Sequence, residues 1–374
     1  MGSISKIEWT DATWNPITGC SRVSEGCRHC YAERFAHRFS GPGQRYEGLT
    51  VLANGHPQWT GKIQFNEKAL LAPLRWQKPR RIFVNSMSDL FHESVTDEQR
   101  DRIFAVMALC PQHIFQVLTK RPERMLRYLS TGPHASVNLR EPFIGRAALE
   151  IHVQRGAGPL LKWAGLPLPN VWLGVSVENQ PAADERIPLL LETPAAARFI
   201  SAEPLLGPLD LREYTGYGKY AGNIPGECVN IDGETWHRED EKCRTCGWGF
   251  PDDPDFPRRV PGLDWVICGG ESGPRARPMH PAWARSLRDQ CVAADVPFFF
   301  KQWGEYWPIS QMPDGWLDRD ENERLRGRGE VLQLNGEIEF AFPEGAMTCY
   351  PVGKKAAGAL LDGRPWRQMP EVHR

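Results

Sequence analysis

Residues 81–120 read RIFVNSMSDLFHESVTDEQRDRIFAVMALCPQHIFQVLTK, and the order of their side chains sets the class of the fold. A β-branched and aromatic run over 81–85 gives way to a polar loop, then to a helical pattern over 97–109, then to a second strand-like run over 113–118. Thr96 stands where a helix N-cap belongs, with Gln99 three residues on, the spacing of a capping box. The same strand–helix alternation continues outward. Residues 14–18, 171–176, 198–201, 264–268 and 296–300 read as further strands, and 122–129, 182–191 and 281–294 as helices. The expected fold is therefore α/β: a partial (β/α) barrel of about six to seven parallel strands, with inserted subdomains and a C-terminal extension.

Such barrels display their chemistry just past the C-terminal ends of the strands. The residues at those positions are Cys20, Ser86-Met87-Ser88-Asp89, Thr119-Lys120-Arg121, Glu178-Asn179, Glu203 and Gly269-Gly270-Glu271-Ser272. Polar and charged side chains recur there more often than chance placement in loops would give.

The first of these loops is the most specific. It reads Gly19-Cys20-x6-Cys27-x2-Cys30-Tyr31, between an apolar segment and a helical stretch over 31–39. A structural zinc site wants four protein ligands, and a site that stops at three leaves a coordination position open for chemistry. Thiolates select iron–sulfur clusters or zinc over magnesium or calcium. Gly19 and Gly26 allow tight bends ahead of two of the cysteines. The competing reading is zinc completed by a fourth ligand such as His29 or His37, in a non-catalytic, zinc-stabilised nucleic-acid-binding protein.

Composition narrows the class. The 374 residues include 41% hydrophobic and 24% charged side chains, which suits an ordinary water-soluble protein with a full core. No apolar run is long enough to span a bilayer and no secretory signal opens the sequence, so a cytoplasmic protein with no membrane partner is expected. Ten cysteines without a signal argue for a reducing compartment and metal ligation rather than disulfides. A net charge of −1 gives no global pull on a polyanion, so any nucleic-acid site must be a local patch. Arg121 and Arg124, with Arg80 and Arg81, are the candidates for one.

Three stretches interrupt the βα rhythm. Residues 40–79 are rich in Gly and Pro before a strand-like 62–65 and a helix-like 67–76. Residues 131–169 are too long for a plain loop and suggest a lid or small subdomain. Residues 212–262 carry Cys228, His237, Cys243 and Cys246, which could complete a structural zinc site around the Cys243-x2-Cys246 knuckle. The resulting division is 1–211 as the first part of the core, with insertions at 40–79 and 131–169, then a Cys/His insertion at 212–262, the last barrel strands and helix at 263–304, and an extension at 305–374. Cys110, Cys268, Cys291 and Cys349 stand alone in apolar settings and read as packing residues.

Several segments together resemble the radical S-adenosylmethionine enzymes, and more narrowly their spore photoproduct lyase branch. They are Cys27-Arg28-His29-Cys30-Tyr31, Phe83-Val84-Asn85-Ser86-Met87-Ser88-Asp89, Val117-Leu118-Thr119-Lys120 and Leu173-Gly174-Val175-Ser176-Val177. The resemblance covers roughly residues 14 to 210. The whole chain also looks like an uncharacterised three-cysteine family common in phages and prophages, through Ile267-Cys268-Gly269-Gly270-Glu271-Ser272-Gly273, Phe300-Lys301-Gln302-Trp303-Gly304 and Val352-Gly353-Lys354-Lys355.

The resemblance implies a 4Fe-4S cluster held by Cys20, Cys27 and Cys30 on three of its irons, with S-adenosyl-L-methionine on the fourth. It implies reductive cleavage of that cofactor to a 5′-deoxyadenosyl radical, with an electron from an external one-electron reductant. Ser88, Lys120 and Ser176 fall at the branch's cofactor-holding positions, and Tyr31 could pack over the cluster or cofactor. The implied substrate is a nucleic-acid base or nucleotide, in DNA repair or nucleic-acid modification. A peptide or small metabolite is the alternative. This chain departs from the branch at Ser86, where the lyase has a cysteine hydrogen donor, and at His29, where it has an aromatic residue. Glu178, Glu203 and Glu271 are expected at the barrel mouth, where one of them could pair with Lys301, while Asp89 reads as a cap for a following helix or a catalytic group.

Overall fold

A computed structural model of the chain describes residues 5, 7–130, 140–156, 165–215, 262–325, 327–339 and 343–371. Seven strands form its central sheet: β1 (Ala12–Trp14), β2 (Arg81–Val84), β3 (Ile114–Thr119), β4 (Val171–Ser176), β5 (Ala197–Ala202), β6 (Trp265–Gly269) and β7 (Phe298–Gln302). Their order in the sheet is their order in the chain, and every neighbouring pair is parallel. Winding in one direction with helices on one face gives an open half-barrel, as expected from the βα alternation.

The period of two along each strand divides the core. Ile82, Val84, Phe115, Val117, Leu173, Val175, Ile200, Val266, Phe298 and Phe300 point outward into one large apolar cluster, joined by residues of the surrounding helices. These include α2 (Asp97–Ala108), α3 (Pro122–Leu129), α5 (Gln180–Glu192) and α6 (Pro281–Ala293), with α1 (Tyr31–His37) near the cysteines and α4 (Glu141–Gln154) in the second insertion. The alternate residues Phe83, Trp172, Phe199, Trp265, Ile267 and Phe299 turn inward with Trp9 as a second, separate cluster. Trp9 lies 4.8 Å from Phe83, 6.4 Å from Phe199 and 6.1 Å from Trp265 between ring centroids. One ring that reaches strands so far apart in order can do so only on the concave side. The inner face is thus plugged with aromatics at the N-terminal end of the strands.

The capping box at α2 is present, with Thr96 Oγ1 accepting from Gln99 N at 3.2 Å and Gln99 Oε1 accepting from Thr96 N at 3.1 Å. The expected strand over 14–18 is instead two pieces. β1 stops at Trp14, since Pro16 has no N–H for a parallel ladder, and Ile17–Thr18 pairs antiparallel with Gln64–Phe65. In the first insertion Thr50–Ala53 and His56–Trp59 form a hairpin whose Asn54 and Gly55 both have positive φ, the signature of a primed turn. In the second, α4 is tied to α2, Arg140 Nε donating to Asp101 Oδ1 at 3.1 Å. The C-terminal segment adds a three-stranded antiparallel sheet and then runs along the free edge of β7, where Phe300 N donates to Trp366 O at 2.9 Å and Gln368 N to Phe298 O at 3.2 Å. Covering that edge removes a template for strand addition. No helix among the described residues is long and apolar enough to cross a membrane.

Candidate active site at the mouth of the half-barrel

The cysteine loop is built onto the end of β1. Gly19 pairs with Ser88 in a parallel bridge, and Gly19 N donates to Met87 O at 3.1 Å, so Cys20 and Ser88 leave the sheet side by side. Gly19 has φ +94°, and a Cβ there would lie 2.1 Å from Lys62 O, so only glycine fits. Gly26 lies in the tight 3-10 turn Glu25–Cys27 and also allows a close approach. Its Cβ would stand 2.9 Å from Lys120 Nζ and 3.0 Å from the Glu178 carboxyl carbon, so its bareness lets the loop lie against those two side chains.

Cys20, Cys27 and Cys30 are all free thiols, each half-buried. Burial pushes Cys20 up to about 12, with Asp89, Cys30 and Cys27 adding to the rise and Arg121 opposing it. Burial likewise raises Cys30, and Cys27 adds to it. The three sulfurs therefore lie within electrostatic reach of one another. No group of three or more His, Cys, Asp or Glu side chains among the described residues is gathered as a metal site. His29 turns to Glu271 and His37 to Thr50. Cys228, His237, Cys243 and Cys246 lie outside the described residues.

Three clamps hold the loop. At β3, Arg121 Nη2 donates to Ser21 Oγ at 2.8 Å and Ser21 O at 3.2 Å, while His92 Nε2 sits 3.0 Å from Ser21 Oγ. At β4, Glu178 accepts from Lys120 Nζ at 2.7 Å, Arg186 Nη1 at 3.0 Å and Gly26 N at 3.4 Å. Burial alone would raise the Glu178 carboxyl, but Lys120, Ser24 and Arg186 outweigh it and hold it down at about 2. At β6, Glu271 faces His29 Nδ1 at 3.2 Å and accepts from Arg277 Nη2 at 2.7 Å and Nε at 2.9 Å, and Arg277 goes on to Glu25 O at 3.1 Å. Burial would raise Glu271 as well; its hydrogen bonds from Arg277 prevail and lower it. A fourth brace inside the loop region joins Arg22 to buried Glu33 at 2.6 Å.

Most residues singled out from the sequence stand around this loop. Lys120 Nζ also donates to Ser176 Oγ at 2.9 Å, which brings two of the three expected cofactor positions together. An ammonium has three N–H groups, so one remains unspent. Ser88 Oγ is out of reach of solvent and has no hydrogen-bond partner, an uncommon condition for a buried hydroxyl. Tyr31 OH donates to Ser86 O at 2.7 Å, and Ser86 Oγ to Asn15 Oδ1 at 3.2 Å. Lys301 forms an ion pair with Glu203 on the inner face beyond Phe299.

Two expectations change. Asp89 caps no helix, because α2 begins only at Asp97; its carboxylate instead ties the strand ends together, accepting from Thr119 Oγ1 at 2.7 Å, Lys120 N at 3.1 Å and Arg121 Nη1 at 3.2 Å. The basic patch of Arg80, Arg81, Arg121 and Arg124 does not form. Arg121 is buried against Asp89 and Glu93, Arg124 donates to the carbonyls of Phe91 and Glu93, and Arg81 pairs with Asp11. Arg277, Arg186, His92 and Asn15 escaped the sequence reading. Arg186 and Arg277 follow glutamates by eight and six residues, a spacing with no motif to flag it.

The donor types suit a cluster bound through three thiolates: three free thiols in one loop, none of them in a disulfide, with a buried Ser88 hydroxyl that lacks a hydrogen-bond partner and the Lys120 ammonium at the ends of neighbouring strands. No curated protein and no solved structure matches the chain. The family model described as "Protein of unknown function (DUF5131)" matches residues 4–370, nearly the whole length, and the chain belongs to that family.

Proposed function

We propose that the protein is a radical S-adenosylmethionine enzyme acting on a nucleic-acid base or nucleotide. Cys20, Cys27 and Cys30 would hold a 4Fe-4S cluster, and Ser88, Lys120, Ser176 and Tyr31 would line the place of S-adenosylmethionine. The observation that carries this reading is the trio of free thiols in one clamped loop at the C-terminal mouth of a parallel half-barrel. When bound, the cluster and its cofactor supply a single electron and a carbon radical for hydrogen abstraction from substrate.

The chain's own residues do the rest. The unspent Lys120 N–H offers a compact positive charge to a carboxylate. Ser88 Oγ has no internal partner to give up in binding a polar group. The clamps at Arg121, Glu178 and Glu271 fix the loop before any ligand arrives, which lowers the cost of ordering it. The aromatic plug closes the inner face behind the mouth to water. Glu203 and Lys301, paired with each other, would meet substrate in this reading. Ser86 is a poor hydrogen donor beside a thiol and is already spent on Asn15, so reversal of a thymine photoproduct is not part of the proposal.

Anaerobic purification and reconstitution test this. About four irons per chain are expected, with brown absorbance and release of 5′-deoxyadenosine on reduction by dithionite. Cys27→Ala should abolish all three while far-UV circular dichroism is unchanged. A colourless protein that takes zinc, no iron, and leaves S-adenosylmethionine intact would overturn the reading in favour of a zinc-stabilised binding protein.

A further inference from the structure

Outside the mouth, on the β1 side of the sheet, lies a cavity of about 720 Å³ lined by Arg45, Lys68, Arg75, Arg80, Trp76 and Asn15 among others, with no acidic residue in its wall. None of these four cations is in an ion pair among the described residues, although ion pairs are the rule elsewhere around this sheet. Nearby carboxylates are committed elsewhere: Glu47, two residues from Arg45, accepts from Gly43 N at 2.8 Å, and Asp11, although within electrostatic reach of Arg80, is hydrogen-bonded to Arg81. Glu67, next to Lys68, pairs with Arg102 at 2.5 Å. Arg80 stacks on Trp76 at 5.1 Å and Arg45 on Tyr46 at 5.5 Å, contacts that orient a guanidinium without neutralising it.

Four like charges around one concavity repel each other, and low-dielectric walls focus their field on whatever enters. The chain as a whole carries −1, so the concentration of positive charge is local. The cavity also adjoins the mouth, because Asn15, in its wall, accepts from Ser86 Oγ and Met87 N.

From this we infer a phosphate-binding site: the cavity takes the phosphate groups of a phosphoester, with Arg45, Lys68, Arg75 and Arg80 as the cations and the Trp76 ring beside them. Guanidinium groups match phosphate oxygens two at a time, and lysine adds a point charge. The same chemistry could come from the backbone of a single-stranded nucleic acid or from the phosphates of a free nucleotide. The site stands on its own residues, whether or not the three thiols hold a cluster.

The test is binding of a fluorescein-labelled 12-nucleotide single strand to the full-length protein over a range of salt, with binding of ATP and of tripolyphosphate measured separately by isothermal titration calorimetry. For four phosphate contacts the logarithm of the binding constant should fall with the logarithm of salt at a slope of about −2.8, from about −0.7 per contact on a single strand. The Lys68→Glu/Arg75→Glu double variant should bind at least tenfold more weakly with a slope shallower by about 1.4. Lys68→Arg should retain binding. Arg127→Glu, an equally exposed charge change on α3, should leave it unchanged.

If ATP and tripolyphosphate bind in a Lys68- and Arg75-dependent manner and the strand does not, the ligand is a free nucleotide or polyphosphate. Loss of strand binding in the double variant assigns the site to nucleic acid. If no probe binds, or Arg127→Glu weakens binding as much as the double variant does, the inference is overturned. Since the readout needs no iron and no S-adenosylmethionine, its failure and that of the proposed activity are separable.

Discussion

The two ends of the concave face of this sheet are built from the same strands and do opposite things. At the N-terminal end Trp172, Phe199, Trp265 and Phe299 meet Trp9 in a dry aromatic plug. Two or four residues further along the same strands, the inward positions are Ser176, Ser201, Gly269 and Lys301, and the loops beyond bring in Lys120, Glu178, Glu203 and Glu271. The plug gains mainly by burying apolar area, with few polar atoms to satisfy, such as Trp265 Nε1, which donates to Gln368 O at 3.0 Å. The mouth buries charges, each of which is costly without its counter-ion. One end therefore carries stability, and the other spends part of it to hold polar groups in fixed positions around three thiols.

Substitutions at the two ends should separate those roles. The largest effect belongs to the plug. Trp265→Ala removes a fully buried ring and its hydrogen bond to Gln368 O, and should cost about 4 kcal/mol in urea unfolding. If the proposed cluster is present, iron bound per folded molecule should not change. A drop in iron with little loss of stability would erase the distinction between the ends.

Next comes Glu178→Gln at the mouth, which strands Lys120 and Arg186 without their shared carboxylate and should cost about 3 kcal/mol. The pH dependence gives the sign. The carboxyl titrates at about 2 in the folded protein and near 4.3 when unfolded. Its contribution is therefore complete above about pH 4.5 and drains away as pH falls towards 2. Wild type and variant should converge in stability across that interval; a gap that stays constant down to pH 2 would show that packing, not charge, ties the loop to β4.

The smallest effect on stability is expected from Lys120→Ala, because Arg186 still neutralises Glu178. Its cost should appear in ligand binding, with S-adenosylmethionine held about 10- to 150-fold less tightly, the range of about 1.5–3 kcal/mol for a charged hydrogen bond. An unaltered dissociation constant would take Lys120 out of the proposed cofactor site.

The fold was legible where a local pattern and its environment agree. Hydrophobic strands buried on both sides of a parallel sheet read as short continuous apolar runs, and β4 at Val171–Ser176 was placed to the residue. The first strand is shorter than its side chains suggest: Ile17 and Thr18 look as β-prone as Trp14, and only the missing N–H of Pro16 forces the change of partner. The hairpin at Thr50–Ala53 and His56–Trp59 had its signal in Asn54-Gly55, hidden among the other glycines and prolines of that stretch. At the site, the residues after each strand could be named, but their partners could not. Whether Arg121 faces solvent or Asp89 depends on how two strands stand beside each other, and no local spacing encodes that. The four cations of the β1 cavity were invisible as a group for the same reason. Arg45 comes from the loop after α1 and Arg80 from the approach to β2, with only the folded chain to bring them together.

The clamps on the cysteine loop are remote in the chain. Glu178 lies 152 residues beyond Gly26, Glu271 lies 242 beyond His29, and Arg277 lies 252 beyond Glu25. During synthesis the thiols leave the ribosome long before these distant supports, and contacts over such separations form slowly. For much of that time the loop has only local contacts, such as Arg22 with Glu33, to hold it. The loop is open to stray metal and oxidant until the sixth strand closes the wall.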